Sequence, residues 1–333
     1  MKRVLLTGAS GFVGSHVLRH LLVNTDWEIV CLVSFRHHGL TDRIRVAMEG
    51  LDSSRVTVIT HDLTAPISPV LDYKIGHIDY VMNVASESHV DRSIEEPAPF
   101  IQNNVALVCS MLDWARVRNV QKFLHVSTDE VYGPAPLGHN HKEWESFYPS
   151  NPYSASKAAQ ESIAFSYWRT YGVPLVITNT MNIIGEMQDP EKFIPMIIKR
   201  VLNGEKVTIH ASSEGEIGSR FYLHARNQAD ALLHAVQLPT PKFGEDIVPA
   251  KYHVVGEREV DNLEMALMVA DYVGKPLNYE LVDFHSSRPG HDLRYALDGA
   301  KIASTGWKAP LSLEESLEKT VRWTLNHKEW LNI

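Results

Sequence analysis

The sequence predicts an α/β fold, a doubly wound parallel sheet with a smaller C-terminal lobe. Three observations carry this. Short β-rich runs alternate with helical patterns through the first half of the chain, as they do in βαβ units. Several of these runs, such as "EIVCLV" and "KFLHVST", are apolar almost throughout, the mark of strands covered on both faces. After about residue 178 the pattern becomes irregular, which separates a second, smaller lobe from the sheet.

Taken in order, "RVLLTG" is the first strand and Phe12 to Leu22 an amphipathic helix; "EIVCLV", "VTVITHD" and "YVMNVA" are the next strands. A helix around 99–117 leads into "KFLHVST". The next helix should begin near Pro152 and run to about Tyr171, because Gly172 and then Pro174 form a stop signal. "PLVITNTMNIIG" is another buried strand, followed by loops at 185–191 and 211–219. A last strand, "KYHVVG", precedes a helix near 262–273 and a terminal helix from about 312 to 326. The sheet domain is therefore expected over 1–178 plus about 222–256, and the lobe over about 179–221 and 257–333. Ligands of such sheets bind at the carboxyl ends of the strands, so the cleft between the lobes is the expected site.

Composition narrows the partners. The 333 residues are 44% hydrophobic, enough for a large core, and the formal charge is -8 with no basic block of the kind that follows a phosphate backbone. Nucleic acid is not an expected partner. Cys31 and Cys109 each sit in an apolar run, so neither a disulfide framework nor a zinc site is suggested. The opening "MKRVLLTG" has too short an apolar stretch for a signal segment or a membrane span, and a cytoplasmic protein is expected. Seventeen histidines include no HExxH pair and no Cys/His cluster, and "HNH" at 139–141 reads as a surface loop; no metal is expected.

"TGASGFVG" places Gly8, Gly11 and Gly14 between the first strand and the first helix. Glycines are needed there where backbone amides approach a pyrophosphate at a helix N-terminus, which makes the sheet Rossmann-type. The acid that usually closes the second strand and holds the adenosine ribose is replaced by Val33. Ser34 and Arg36 follow, and an arginine there can meet a 2′-phosphate, so NADP stands beside NAD as cofactor. Asp62 is a candidate partner for the adenine amino group.

"HVSTDEVYG" sets Asp129 and Glu130 side by side at the end of an apolar strand. Neighbouring strand residues face opposite ways, so the two carboxyls share a site only if the backbone turns there. "YSASK" puts Tyr153 and Lys157 at i and i+4 on one helix face, where the ammonium and the cofactor's charge would favour phenolate and let it take a proton from a hydroxyl.

The combination of "TGASGFVG", "STDEVYG" and "YSASK" resembles the extended short-chain dehydrogenase/reductase family. "ASESHVDRSI", "DPEKFIP" and "RPGHDLRYALD" narrow the resemblance to nucleotide-sugar 4,6-dehydratases of the dTDP-glucose 4,6-dehydratase type. It covers nearly the whole chain and implies an enzyme of deoxysugar biosynthesis acting on an NDP-hexose. Tyr153, arranged by Lys157 and Thr128, would take the 4-OH proton as hydride leaves C4. Glu130 would then remove the C5 proton and Asp129, as the neutral acid, protonate the departing 6-OH, before hydride returns at C6. Two adjacent carboxyls with opposite tasks need pKa values pushed apart.

The resemblance also implies cofactor contacts from Thr7, Gly8, Gly11, Phe12, Val13, Gly14, Ser34, Arg36, Asp62, Leu63, Val84, Ala85, Ser127, Tyr153 and Lys157. It implies substrate contacts from Ser86, Glu87 and His89 near the hexose, Asn182 and Arg220 near the diphosphate, and Arg288 and His291. Departures lie around the base and diphosphate: Arg220-Phe221-Tyr222 replaces Arg-Asp-Trp/Tyr, Asn227 stands where an acid is expected, His210 where a tyrosine is, and "MNIIGEMQ" replaces "SNNYGPYQ". The reaction is therefore better specified than the nucleotide. A 4-epimerase or a uronic acid decarboxylase would use Tyr153 and Lys157 but leaves the carboxyl pair unexplained. A non-catalytic dinucleotide-binding regulator would be expected to have lost part of the set. The resemblance further implies a homodimer built on the helices near 99–117 and 152–170. There Val105, Val108, Met111 and Leu112, or Ile163, Phe165 and Trp168, serve either a dimer face or the sheet.

Overall fold

The apolar runs of the first half become strands of one sheet in the computed structural model, which describes residues 1–36, 39–283 and 293–332. The strands are β1 (Arg3–Thr7), β2 (Glu28–Val33), β3 (Val56–Thr60), β4 (Tyr80–Asn83), β5 (Lys122–Thr128), β6 (Leu175–Thr180), β7 (Ile183–Ile184), β8 (Val207–Ala211), β9 (Ser219–Phe221), β10 (Leu223–His224), β11 (Ala250–Val254), β12 (Glu259–Asp261) and β13 (Tyr279–Asp283). Seven of them form a Rossmann-type sheet in the order β11-β6-β5-β4-β1-β2-β3, and every neighbouring pair is parallel. The winding reverses between β1 and β4, which opens a crevice at their carboxyl ends.

The helices are α1 (Phe12–Asn24), α2 (Thr41–Met48), α3 (Pro69–Ile75), α4 (Val90–Glu95), α5 (Pro97–Arg118), α6 (Pro152–Tyr171), α7 (Phe193–Asn203), α8 (Ala225–Gln237) and α9 (Asn262–Val273), with further helices at Ala300–Ser304 and Leu313–Asn326. One sheet face is covered by α1, α2 and α8 through Val17, Leu21, Ile44, Leu232 and Val236. The other is covered by α3, α5 and α6, where Val108, Met111, Leu112 and Trp168 join Leu5, Phe123 and Ile177. Those four side chains therefore serve the sheet, while Val105, Ile163 and Phe165 remain partly exposed. No helix among the described residues is long and apolar enough to cross a membrane.

α6 has the bounds its sequence signals dictate. Asn151 and Ser154 form a reciprocal capping box at its start, and Gly172 takes the left-handed conformation (φ 69°) at its end. The second lobe has its own core, in which Ile194, Ile197 and Ile198 of α7 pack with Met265 and Val269 of α9 and with Leu317 and Val321 of the terminal helix. Beside them β8 pairs in parallel with β13. Residues 257–333 are divided between the two cores, since Ile302 and Trp307 return to the sheet body.

Candidate active site

β5 ends at Thr128 and the chain turns at once through a single 3-10 turn, Asp129–Tyr132, stopped by Gly133 at φ 76°. This turn brings both carboxyls to one cleft, and Thr128 arranges it. Its Oγ1 donates to Asp129 Oδ1 at 2.9 Å and accepts from the Glu130 backbone N–H at 3.3 Å. Asp129 is 4% exposed, and its Oδ2 is buried with no hydrogen-bond partner among the described residues. Burial pushes its carboxyl up to about 6, against the Thr128 hydrogen bond and the nearby positive charge of Arg220. Glu130 is less buried and accepts from Asn151 Nδ2 at 3.1 Å. The two carboxyls are chemically unlike because one is enclosed and the other reaches into the cleft.

α6 presents Tyr153 and Lys157 to the same cleft. Ser93 of α4 accepts from the Tyr153 backbone N–H at 3.1 Å and so fixes the first turn of α6. Lys157 Nζ donates to the Val126 carbonyl at 2.7 Å. Burial lowers its ammonium to about 7, opposed by Glu161 one turn further along the helix. The Tyr153 phenol is raised by burial and by the Glu130 charge, against a hydrogen bond with Thr128. Desolvation together with the neighbouring carboxylates of Glu130 and Asp129 thus keeps the phenol raised in the absence of the cofactor's charge. Ionisation of the phenol calls for a further positive charge beside it.

The crevice is a cleft of about 400 Å³ lined by Gly8, Gly11, Phe12, Val13, Gly14, Ser34, Arg36, Asp62, Leu63, Val84, Ala85, Ser127, Thr128, Tyr153 and Lys157. Its glycines fit a dinucleotide loop. A Cβ on Gly14 would lie 2.0 Å from the Gly8 carbonyl oxygen, and one on Gly8 (φ 75°) would lie 2.9 Å from the Ala85 backbone. Ser127 Oγ is buried at the cleft with no hydrogen-bond partner among the described residues. Thr7 does not line the cleft. It is fully buried beneath it, donating to Asn83 Oδ1 at 2.9 Å and accepting from the Val84 and Ala85 N–H groups at 3.1 and 3.0 Å, so it positions the β4 end. Arg36 and Asp62, expected to contact different parts of the nucleotide, are ion-paired with each other across the mouth.

Of the substrate candidates, Ser86, Glu87, His89 and Asn182 line the cleft. Asn104 of α5 clamps the Glu87 backbone from both sides, accepting from its N–H at 2.9 Å and donating to its carbonyl at 3.0 Å. Arg220 on β9 lies over the Tyr295 ring at 4.7 Å and donates to the Leu293 carbonyl at 2.6 Å. Arg288 and His291 lie outside the described residues. Asn227 is not at the cleft: its amide both donates to and accepts from the Leu311 backbone, at 2.8 and 3.1 Å. The altered "MNIIGEMQ" segment is compensated locally, since buried Glu186 lies 3.2 Å from His16 and 3.1 Å from His224.

Sequence reasoning missed Asn151 and Lys192. Lys192 lines the cleft close enough to Glu130 to feel its charge, and burial lowers its ammonium. Its place within "DPEKFIP" is a usable signal, because that segment already carries the resemblance. Asn151 reads as a helix cap and nothing more.

Comparison with known proteins agrees with this geometry. Residues 4–248 match the model of the NAD dependent epimerase/dehydratase family. The chain is 34% identical to the dTDP-glucose 4,6-dehydratase of Salmonella typhimurium, over 99% of this chain and 94% of that one. Among solved structures it resembles a double mutant of DesIV, the dTDP-glucose 4,6-dehydratase of Streptomyces venezuelae, with NAD bound (TM-score 0.86, 28% identity, 100% of this chain and 99% of that one). It also resembles the UDP-glucose 4-epimerase of Thermus thermophilus in complex with NAD (TM-score 0.84, 26% identity, 96% and 98%).

Proposed function

The chain belongs to the NAD-dependent epimerase/dehydratase family, and from that premise we infer that it is a nucleotide-sugar 4,6-dehydratase, a hydro-lyase that converts an NDP-hexose to the NDP-4-keto-6-deoxy sugar. The observation that carries the reading is the Asp129–Glu130 turn in the same cleft as the glycine loop and Tyr153. An epimerase has no elimination to catalyse and no use for an enclosed acid beside an accessible base.

Each residue of the cleft then has a task. NAD, when held by the glycine loop and the ends of β2 to β5, supplies a hydride acceptor for C4 and a hydride donor for C6. Tyr153 Oη takes the 4-OH proton, with Thr128 and Lys157 fixing its place. The resulting 4-keto group acidifies C5, and Glu130, oriented by Asn151, removes that proton and a proton returns to C5 once hydride has been delivered to C6. Asp129, whose pKa of about 6 keeps part of it protonated near neutrality, gives its proton to the 6-OH so that it leaves as water. Ser86, Glu87 and His89 face the hexose; Asn182, Lys192, Arg220, Arg288 and His291 serve the diphosphate and the far end of the substrate. NAD is favoured over NADP because the arginine that could meet a 2′-phosphate is already paired with Asp62. The enzyme works as a cytoplasmic homodimer through α5 and α6.

The test is incubation of the purified protein with a panel of NDP-hexoses, monitored by the base-induced absorbance of a 4-keto-6-deoxy sugar and by mass spectrometry. Loss of one water from one substrate is the expected outcome and names the nucleotide. Isomerisation without mass loss would overturn the dehydratase assignment.

A further inference from the structure

The loop between the 3-10 turn and α6 carries a cluster that the reaction does not use. His139 Nε2 and His141 Nδ1 approach the same carboxylate oxygen, Glu145 Oε2, at 3.0 and 2.7 Å, and the three donor atoms lie within 4.8 Å of one another. Two imidazoles and one carboxylate are the donor set of zinc and its borderline neighbours, whereas magnesium and calcium call for oxygen alone. We propose that His139, His141 and Glu145 bind a divalent transition metal of the zinc class, which staples this loop over the catalytic turn.

The ligands are held in advance. The His141 N–H donates to the Ala296 carbonyl at 3.0 Å, its carbonyl accepts from the Asp298 N–H at 2.8 Å, and its ring stacks on Tyr132 at 5.3 Å. Tyr132 closes the turn that begins with Asp129 and Glu130. The second Glu145 oxygen accepts from the Lys142 N–H at 3.0 Å, which orients the carboxylate as outer-shell hydrogen bonds do at metal sites. On the facing segment Arg294 donates to the His139 and Pro136 carbonyls and is neutralised by both oxygens of Glu259 at 2.7 and 2.9 Å.

Access is open, because the His139 side chain is 46% exposed and leaves a path for the ion and for water as fourth ligand. Tetrahedral bonds of about 2.0–2.2 Å set ligand atoms roughly 3.3–3.6 Å apart, so the side chains need to move by less than about 1 Å. "HNH" alone reads as a bare loop because its third ligand lies on the next turn of chain.

The test uses tag-free, chelator-stripped full-length protein titrated with CoCl2 and followed by visible absorption, then with ZnCl2 in competition. The expected result is saturation at one equivalent with an intense four-coordinate cobalt band, displacement by zinc, and a rise in Tm of several degrees. His139→Ala, at an exposed position that the fold does not need, is expected to weaken zinc binding at least about tenfold, and Glu145→Gln likewise. Absence of saturable binding would overturn the site, and so would undiminished binding by the His139→Ala protein.

Discussion

Two adjacent carboxyls acquire opposite chemistry at a single residue boundary. Asp129 is almost fully buried at the cleft wall and accepts from Thr128, while Glu130 is more exposed and meets Asn151. The first arrangement has a cost that can be measured. An acid whose folded pKa rises from 3.8 to about 6 loses stability for the fold as pH climbs through that window, and the loss is complete above it. At about 1.4 kcal/mol per pH unit this amounts to roughly 3 kcal/mol. Asp129→Asn is therefore expected to be more stable than the wild type at pH 8 and no more stable below pH 4, while water elimination is lost. Denaturant melts at the two pH values check the first part, and equal stability at pH 8 would show that the carboxyl is not enclosed as described. Adjacency alone left this pair open between a turn at a shared site and a solvated loop, since neighbouring strand residues face opposite ways, and it was the resemblance that gave the two carboxyls their expected roles. Asn151 was not legible as a site residue, since it carries the ordinary mark of a helix cap, whereas Lys192 had a signal in "DPEKFIP" that the reading did not use.

At the scale of elements, α6 supplies Tyr153 and Lys157 to the cleft. Its cap residue Asn151 serves the helix through Ser154 and the base through Glu130. Asn151→Ala should cost about 1 kcal/mol of stability through the lost cap and should lower kcat more than it raises KM, because Glu130 loses its orienting donor. Unchanged kcat in steady-state assays would separate the two tasks. Further along the same face, Glu161 opposes the desolvation of Lys157, accepts from Asn179 Nδ2 at 2.6 Å and pairs with buried Lys251 at 2.7 Å. Asn179 in turn donates to the Thr128 carbonyl at 2.9 Å, which ties the network to the Asp129–Glu130 turn.

Glu161→Gln leaves the Lys251 charge unpaired among Tyr132, Trp144 and Phe147, and should destabilise the protein by roughly 3–5 kcal/mol. Adding Lys251→Met should recover most of that. In the double variant Lys157 lacks its anion, so the alkaline limb of the pH–rate profile is expected to move to lower pH, whereas a limb that stays in place would exclude Glu161 from holding the Lys157 charge. Most elements of the sheet were legible as short apolar-rich runs, even where β11 carries Lys251 and His253 or β3 alternates with threonine. Several in the lobe were not, and two show why. Pro195 interrupts the apolar spacing of α7 and reads as a break, although the first turn of a helix tolerates proline. β8 finds its partner β13 only after an intervening stretch that includes β9 to β12 and two helices, a pairing that no local signal announces.

At the scale of the whole molecule, the proposed homodimer rests on the outer surface of α5 and α6. The sheet claims Val108, Met111, Leu112 and Trp168, which leaves Ile101, Val105 and Cys109 as a half-exposed row at i, i+4 and i+8 on α5. On α6 Ile163 and Tyr167 continue it, and the Tyr167 hydroxyl crosses to Asp113 at 3.1 Å. An apolar row on two packed helices is the surface that a second copy would cover through a four-helix arrangement. The two cysteines report on this directly. Cys31 is fully buried in the sheet, so only Cys109 can react in a folded monomer, and in a dimer through this face neither can. Native protein treated with a thiol reagent is expected to show no fast-reacting group and to sediment at twice the monomer mass. Val105→Glu should place a charge in the row, shift the protein to monomer and expose one thiol to rapid modification, with the sheet core untouched. One reactive thiol in the unmodified protein, at monomer mass, would remove α5 and α6 as the interface.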